Sequence, residues 1–470
     1  MERSRRALNA AAAIIREKRI MTSQQMIDEP GGKVPVVAEA DLVVVGGGPA
    51  GIAAAVSGAR NGLSTVLLER YPYLGGLASG GMVLVLDDMC NGNEVTVRGL
   101  CSELIDRMTG MGLCVTPPEE DWIADEGKFQ QWARWGTYNF HSHSKPQPVC
   151  YASAFDPDGF KRAANDMVAE AGIKLRLHSW FSRTIVEDGA ARGVICDSKE
   201  GRQAILGKVV VDATGDLDVA ASAGAPFSHG SFIVTTVFRL GGVDTAEAER
   251  FEYEEPAAFA KLDRECKRIM GGSWERWWLK TPLPGIVWCN CPHMAGFDGT
   301  SVADLTRADF VGREKIASLV AYIRANMPGF ANAFVVDVAP QLGVRTSRLL
   351  EGEYVLTKED VATRRHFADS VARGRDYYYP YRTLLPRGVS QMLVAGRHYS
   401  STAAAQRISR EIPPCMAMGE AVGVAASVAL DQGVSVDKVD VAKVQRILRA
   451  QGADPGDRPA ANATFQEAAE

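Results

Sequence analysis

Residues 41–70 constrain this chain more than any other stretch; they read DLVVVGGGPAGIAAAVSGARNGLSTVLLER. Leu42 to Val45 form an unbroken apolar run, the mark of a strand covered on both faces. Gly46, Gly48 and Gly51 follow with G-x-G-x-x-G spacing, and an Ala-rich helix opens at Pro49, where a missing N–H costs nothing. The first glycine permits a tight turn, the second lets a diphosphate approach the backbone, and the third allows helix and strand to pack closely. The helix N-terminus, with Pro49 and Ala50 in its first turn, points N–H groups and partial positive charge at that diphosphate. A second strand, Thr65 to Leu68, ends at Glu69, where an acid can accept hydrogen bonds from a ribose; Arg70 adjoins it. A glycine motif alone is weak. Strand, turn, helix, strand and acid together specify a dinucleotide site.

The 470 residues leave room for two or three structural units. A net charge of −5 gives no support to nucleic acid or an anionic membrane surface as a partner. No apolar run reaches the roughly 18 residues that suggest a membrane span. The nine cysteines show neither a disulfide framework nor iron–sulfur spacing, which suits a reducing cytoplasm. Residues 1–40 read as a polar lead-in. The basic Glu2–Arg6 is followed by an apolar stretch, Ala11 to Ile15, too short for a secretion signal; Met21 is an alternative initiator. The expectation is a cytoplasmic protein that acts on a small molecule, with its oligomeric state open and a dimer one option.

Farther along, Gly75, Gly76, Gly80 and Gly81 crowd the segment after Glu69 and suggest backbone pressed against a ligand. Residues 98–112 and Asp156 to Gly172 read as helices, and 115–150 as irregular. His141 and His143 sit at i, i+2 with no third ligand nearby in sequence, so a solvated loop is a better reading than a metal pair. Strands are expected at Ile173–Leu177, Arg183–Val186 and Gly193–Cys196. The run Val209-Val210-Val211 enters Asp212-Ala213-Thr214-Gly215-Asp216, a second place where small residues leave room for a ligand. Residues 220–345 differ in character, with Trp274, Trp277, Trp278 and Trp288, and read as an inserted substrate domain. Cys289-Asn290-Cys291 within it is a redox or metal pair, or plain core; its one-residue spacing strains a disulfide. A helix is expected from Phe310 to Asn326. Met392–Val394 reads as a strand ending at Ala395-Gly396-Arg397. A helix from Pro413 to Gln432 follows, with small residues such as Gly419 and Gly423 on one face. The expected divisions are 1–40 lead-in, 41–220 nucleotide-binding, 221–350 substrate domain, 351–451 nucleotide-binding again, and 452–470 a disordered tail.

These elements together resemble the FAD-dependent oxidoreductases of the glutathione-reductase type. Besides the glycine unit, the likeness rests on Gly75-Gly76, the Ala213-Thr214-Gly215-Asp216 turn, Phe238–Gly242, Gly343–Arg348, Pro380-Tyr381-Arg382 and the strand–Ala395-Gly396-Arg397–helix unit. It spans residues 27 to 451. It implies an α/β fold: a Rossmann-like FAD-binding domain with an inserted α+β substrate domain. It also implies FAD held extended, with Glu69 on the adenosine ribose and Gly46–Gly51 on the diphosphate; noncovalent binding is expected, with His398 and the cysteines the conceivable sites of a covalent link. Gly75, Gly76 and Leu77 would line the cofactor, and Ala213, Thr214 and Gly215 would approach the diphosphate. Gly396, Arg410 and the last helix near Gly419 would lie at the ribityl and pyrimidine end, where a helix N-terminus can stabilise negative charge on the flavin. Members of the family carry a His and an acid shortly after the Ala-Gly-Arg strand; here Ala403 and Ala404 stand there, and Gln406-Arg407 replaces a smaller pair.

The implied activity is hydride transfer between a small organic substrate and flavin, as an oxidase or dehydrogenase. A flavin monooxygenase or double-bond reductase is the alternative, and a non-catalytic binding protein on the same fold is a third reading. No second dinucleotide motif is present to hold NAD(P)H. His398, Arg345, Arg348 and Arg382 are the candidate catalytic groups, with Arg410 and His293 further polar candidates; Arg345 and Arg348 could clamp a carboxylate. No metal is expected.

Overall fold

The computed structural model describes Ile27 and residues 31–92, 94–273 and 276–458. The start expected before residue 27, Trp274 and residues 459–470 lie outside the described residues. Residues 31–35 have no regular secondary structure and belong to a separate unit, Met1–Pro35; Val36 onward forms the other.

In chain order the elements that carry the site are β1 (Val36–Val45), α1 (Pro49–Arg60), β2 (Thr65–Leu68), α2 (Leu100–Gly110) and α3 (Pro157–Glu170). Then come β3 (Lys174–Arg176), β4 (Trp180–Glu187), β5 (Ala190–Ser198) and β6 (Gly201–Asp212). The order β3–β2–β1–β6 is parallel throughout. β1 starts at Val36, earlier than the apolar run suggests, because β6 is long enough to pair with Val36–Ala40 as well as with Leu42–Val45. The first half of β6 pairs antiparallel with β5, which pairs with β4. Within β1, Leu42 and Val44 enter one core cluster and Val43 and Val45 another, so the run is apolar because both sheet faces are covered.

The following segment builds its own antiparallel sheet from β7 (Phe238–Gly241), β8 (Trp278–Lys280), β9 (Val287–Cys289) and β10 (Phe334–Val338), in the order β8–β9–β7–β10. Helices α4 (Pro256–Met270) and α5 (Val302–Asn326) supply the rest of its core, including Leu262, Cys266, Ile316 and Leu319. α5 starts before Phe310 because Ser301 caps it, accepting from the Asp304 N–H. Trp277 and Trp278 pack around Phe330 at 6.2 and 5.5 Å between ring centroids. They are core, as are Tyr377 and Tyr379. Cys289 and Cys291 are buried in the same core, where desolvation pushes both thiols up, and the described residues hold no cluster of metal-ligating side chains.

The chain then returns to the first sheet. β11 (Met392–Val394) adds in parallel to Val210–Asp212, the second half of β6. α6 (Ile412–Gln432) and α7 (Val441–Ala450) follow. α6 is long and apolar enough to cross a membrane by length and composition, but it is a buried core helix of this fold. Residues 452–458 are packed rather than disordered: the Pro455 carbonyl accepts from Ser370 Oγ at 2.8 Å, and Asp454 pairs with the buried Arg373 at 2.9 Å.

α6 lies directly on α1. A Cβ on Gly419 would overlap the Ala50 carbonyl, and one on Gly423 would stand 2.6 Å from the Ala54 carbonyl. The contact advances in the same direction along both helices, so they run parallel and their N-termini open at the same end. Between these glycines, Glu420 is buried and accepts from the Leu100 N–H at the start of α2 at 3.1 Å. Burial raises its carboxyl to about 7, partly offset by that hydrogen bond. The folded chain therefore binds a proton between about pH 4.5 and 7 that the unfolded chain has released, and stability falls as pH rises through that window. Glu420→Gln is expected to flatten this slope and to stabilise the protein by about 1–3 kcal/mol at pH 8, measured as urea midpoints at pH 5 and pH 8.

Candidate functional site

Counting only parallel strands, the sheet order is 3-2-1-4-5, with β3 and β2 built outward from β1 on one side and β6 and β11 on the other. The order reverses between β1 and β6, and in such sheets a crevice opens beyond the carboxyl ends of the strands at that point. Here it holds a cleft that opens to solvent, with about 1080 Å³ of space when the solvent at its mouth is included. Its floor is stitched by backbone hydrogen bonds: Gly46 N–H to Leu68 O at 2.8 Å, Ala213 N–H to Val45 O at 2.9 Å and Ala395 N–H to Asp212 O at 3.0 Å. From β2 to β11 the strand ends span about 14 Å at ordinary strand spacing, so a ligand that touches both ends lies extended.

The glycines act as their spacing implies. Gly46 has φ +104°, and a Cβ there would run into the Ala213 carbonyl. A Cβ on Gly51 would overlap the Gly46 carbonyl oxygen, so Gly51 is the close contact of helix and turn and does not itself line the cleft. A Cβ on Gly48 would meet only Gly76 Cα, at 3.9 Å, so Gly48 faces open space. That is the cradle a diphosphate needs. Gly75, with φ +110°, donates from its N–H to Gly47 O at 2.7 Å and brings Gly76 and Leu77 to the cleft wall.

At the β2 end, Glu69 is buried and accepts from the Gly47 N–H at 2.6 Å and the Tyr71 N–H at 2.8 Å. Burial raises its carboxyl while those two donors oppose the shift. Arg70 lies over the rings of Tyr71 and Trp180 at 5.1 and 5.7 Å and lines the cleft with them, beside Ser179 and Phe181. Trp180 belongs to β4, more than a hundred residues away in sequence, and no local motif marks it.

At the β11 end the cleft is walled by Gly396, Arg397, Arg410, Glu411, Ile412 and Cys415. The parallel N-termini of α1 and α6 both open here. In α6, however, Pro413 and Pro414 occupy the first turn and remove two N–H donors, leaving mainly the helix dipole and the Arg410 charge as the positive elements. Among the described residues the buried Arg410 Nε has no hydrogen-bond partner. Burial pushes the Cys415 thiol up to about 12, so it stays protonated, and its sulfur sits 3.4 Å from the Arg410 carbonyl. Arg397 donates to Val344 O at 3.0 Å and to Asp216 Oδ1 at 2.7 Å, closing over Gly215. Ala213 and Thr214 line the cleft beside it. Gly419 does not: it is consumed by the packing of α6 on α1.

The candidate catalytic groups are not brought together. His398 is buried off the cleft, with Nε2 3.2 Å from both the Asp212 carbonyl and Asp212 Oδ1. Asp212 in turn accepts from Thr214 N–H at 3.0 Å, Thr214 Oγ1 at 2.7 Å, and the Val219 and Ala220 N–H groups at 2.9 Å each. His398 thus anchors the turn rather than meeting a substrate. Arg348 donates to Asp216 O at 3.0 Å and Asp218 Oδ1 at 2.9 Å, and the half-exposed Arg382 pairs with Asp369 at 2.8 Å. Arg345 points instead to Asn290 and His293, each at 3.4 Å, so it forms no clamp with Arg348. Burial and the nearby Arg410 lower Arg345 to about 9; burial and Arg345 lower His293 to about 3, so that imidazole is neutral at physiological pH. Gln406 is fully buried and used up structurally, accepting from Thr346 Oγ1 at 2.8 Å and donating to Arg345 O and Arg397 O at 2.9 and 3.1 Å. His141 and His143 lie in a loop; His141 is 3.9 Å from Asp88.

A family model described as FAD dependent oxidoreductase matches residues 41–379 and 373–448. Solved structures similar to this chain include the flavin-dependent monooxygenase PieE in complex with FAD and substrate, 12% identical, covering 84% of this chain and 59% of that one at a TM-score of 0.48. The myxobacterial chondrochloren halogenase CndH is 15% identical over 88% of this chain and 79% of its own, at 0.47. A geranylgeranyl bacteriochlorophyll reductase-like protein from Thermoplasma acidophilum is 14% identical over 88% and 84%, at 0.43.

Proposed function

Because this chain belongs to the FAD-dependent oxidoreductase family, we propose that the cleft holds FAD extended and noncovalently, in the manner of the glutathione-reductase type, for hydride exchange with a small organic substrate. The observation that carries this reading is the cleft across the switch point, with Glu69 at one end and Arg410 at the other. FAD supplies the redox chemistry, taking up or giving a hydride. The chain's residues do the rest. Glu69, held by two N–H donors, presents carboxylate oxygens to the adenosine ribose, and Arg70, Tyr71 and Trp180 pack the adenine. Gly48 and the start of α1 receive the diphosphate. Arg410, with its free Nε, and the α6 dipole stabilise negative charge at the flavin end. Arg410 faces the cleft with Glu411 3.9 Å away, and Arg345 lies near it, held toward Asn290 and His293; on the Arg410 charge, the substrate we favour carries a carboxylate or other anion. Residues 41–220 and 351–451 form the cofactor domain in this reading, and 221–350 bring the substrate.

The anionic character of the substrate is tested by mixing the yellow holoprotein anaerobically with hydroxy acids, amines, sugars and aromatic alcohols. A carboxylate-bearing compound is expected to bleach it, at a concentration that rises at least tenfold in Arg410→Gln. Bleaching by NADPH alone would replace this reading with the monooxygenase or double-bond reductase. Noncovalent binding has its own check. Cys415 is held as a thiol and His398 lies off the cleft, so acid precipitation is expected to leave FAD in the supernatant and a colourless pellet.

A further inference from the structure

Of residues 221–350, Gln341 is the one that lines the cofactor cleft among the described residues. It stands three residues beyond β10, and its backbone is pinned on both sides of Pro340. The Ala339 N–H donates to Val237 O at 2.8 Å and the Gln341 N–H to Gly80 O at 3.1 Å. The side chain is placed where Gly80 leaves room. A Cβ on Gly80 would overlap the Tyr73 hydroxyl and stand 2.8 Å from Gln341 Oε1, so the phenol and the amide carbonyl border one point. Both oxygens are buried, and neither has a hydrogen-bond partner among the described residues. Burial pushes the Tyr73 phenol up to about 12, so it keeps its proton and is the donor of the two. With Oε1 turned inward, the amide nitrogen Nε2 is the end left to the cleft, and it too makes no hydrogen bond among the described residues. The place of this amide along the cleft follows from its neighbours. Tyr73 stacks on Tyr71 with 5.5 Å between ring centroids, and Tyr71 walls the end at Glu69 and Arg70. Gly80 lies one helical turn beyond Gly76 and donates to its carbonyl at 2.8 Å; a Cβ on Gly76 would stand 2.9 Å from Gly48 Cα. Gln341 is thus tied to the Tyr71 end on one side and to the Gly48 turn on the other.

We propose that Gln341 is part of the diphosphate site: its Nε2 donates to a phosphate oxygen of FAD, and the Tyr73 hydroxyl holds the amide by its carbonyl. The inference rests on the FAD reading of the cleft given above. Phosphate oxygens only accept hydrogen bonds, so the nitrogen is the end of the amide that matches them. Buried donors and acceptors are seldom left unpaired, and a Tyr73–Gln341–phosphate chain pairs all three groups at once. The contact also joins segment 221–350, which brings the substrate in this reading, to the cofactor itself. Neither the glycine turn nor α1 can make that connection, because both belong to the nucleotide-binding part of the chain.

The test titrates FAD into the full-length apoprotein at low and high salt, so its readout is a Kd and a spectrum rather than turnover. Gln341→Leu is expected to weaken FAD binding about tenfold or more, as the loss of a hydrogen bond to a charged group does. Gln341→Glu keeps the shape of the side chain and sets a negative charge against the phosphates. It should bind FAD at least tenfold more weakly still at about 20 mM KCl, and recover much of that second loss at about 500 mM, where the repulsion is screened. Tyr73→Phe should weaken binding by a smaller factor with no added salt dependence. The visible spectrum of bound FAD should match the wild type in Gln341→Leu. Wild-type affinity in Gln341→Leu, a Glu variant no weaker than the Leu variant, or a shifted flavin spectrum that puts the amide on the ring would each overturn the proposal. A wild-type chain that takes up no FAD would sink the reading of the cleft as well, whereas FAD uptake that Gln341→Leu leaves unchanged sinks this inference alone. Melting curves of the apoproteins check folding, and the isosteric Gln341→Glu decides the question if Gln341→Leu does not fold.

Discussion

Gly51→Ala is expected to give a protein that retains less than a tenth of its FAD and loses roughly 3–5 kcal/mol of stability. The new Cβ would overlap the Gly46 carbonyl oxygen, a backbone atom fixed in turn by the sheet. No side-chain rotation relieves that contact, so α1 must lift off the turn, and the N–H groups proposed for the diphosphate leave with it. Gly48→Ala is the informative partner. Its Cβ meets nothing of the chain closer than 3.9 Å, and the backbone there is extended, so the apoprotein should fold with an unchanged melting temperature. It should nevertheless bind FAD at least tenfold more weakly, because the methyl occupies space left for the ligand. FAD-to-protein ratios and melting curves of apo and loaded protein separate the two outcomes. If Gly48→Ala binds FAD as tightly as the wild type, the diphosphate does not lie in the turn.

Asp212→Ala is expected to cost about 3–5 kcal/mol and to unload the cofactor as well. Removing this fully buried carboxylate leaves Thr214 and the N–H groups of Val219 and Ala220 without their acceptor, and leaves His398 only the Asp212 backbone carbonyl. Thr214 lines the cleft, so the loss reaches the cofactor directly. Asp212→Asn keeps one acceptor oxygen and should cost less. The pH dependence has a definite sign. Burial acts to raise the Asp212 carboxyl, but the His398 charge and the hydrogen bonds outweigh it and hold the group below the ordinary range. Its stabilisation is therefore complete above about pH 4 and lost as pH falls below that, the reverse of Glu420. Urea midpoints of wild type and Asp212→Asn between pH 3 and pH 7 should converge at the acid end.

What could be read from the residues alone was what local pattern encodes. The strand–turn–helix of residues 41–70, the Val209–Asp212 strand and the Met392–Val394 strand declare themselves because a strand buried on both faces must be continuously apolar. Gly46, Gly48 and Gly51 were legible because their spacing reflects backbone geometry. Side-chain direction was not. His398 follows the right strand, yet its ring turns back to the buried Asp212, and Arg348 turns to Asp218. Arg397 and Trp180 reach the cleft through tertiary placement, on which period and spacing are silent. The tryptophans of the second sheet show the same gap from the other side, since an aromatic cluster fills a core as readily as it lines a pocket.

The late return of the chain to its first sheet has a consequence for synthesis. The second half of β6 lacks its outer neighbour until β11 emerges, roughly 180 residues later. At ordinary translation speeds of about 5–20 residues per second, that edge stays open for roughly ten to forty seconds on the ribosome. An unpaired strand edge is a template for wrong partners. The nascent chain must therefore pass through a period in which the glycine turn after β1 already exists, β11 does not, and the edge of β6 stands open.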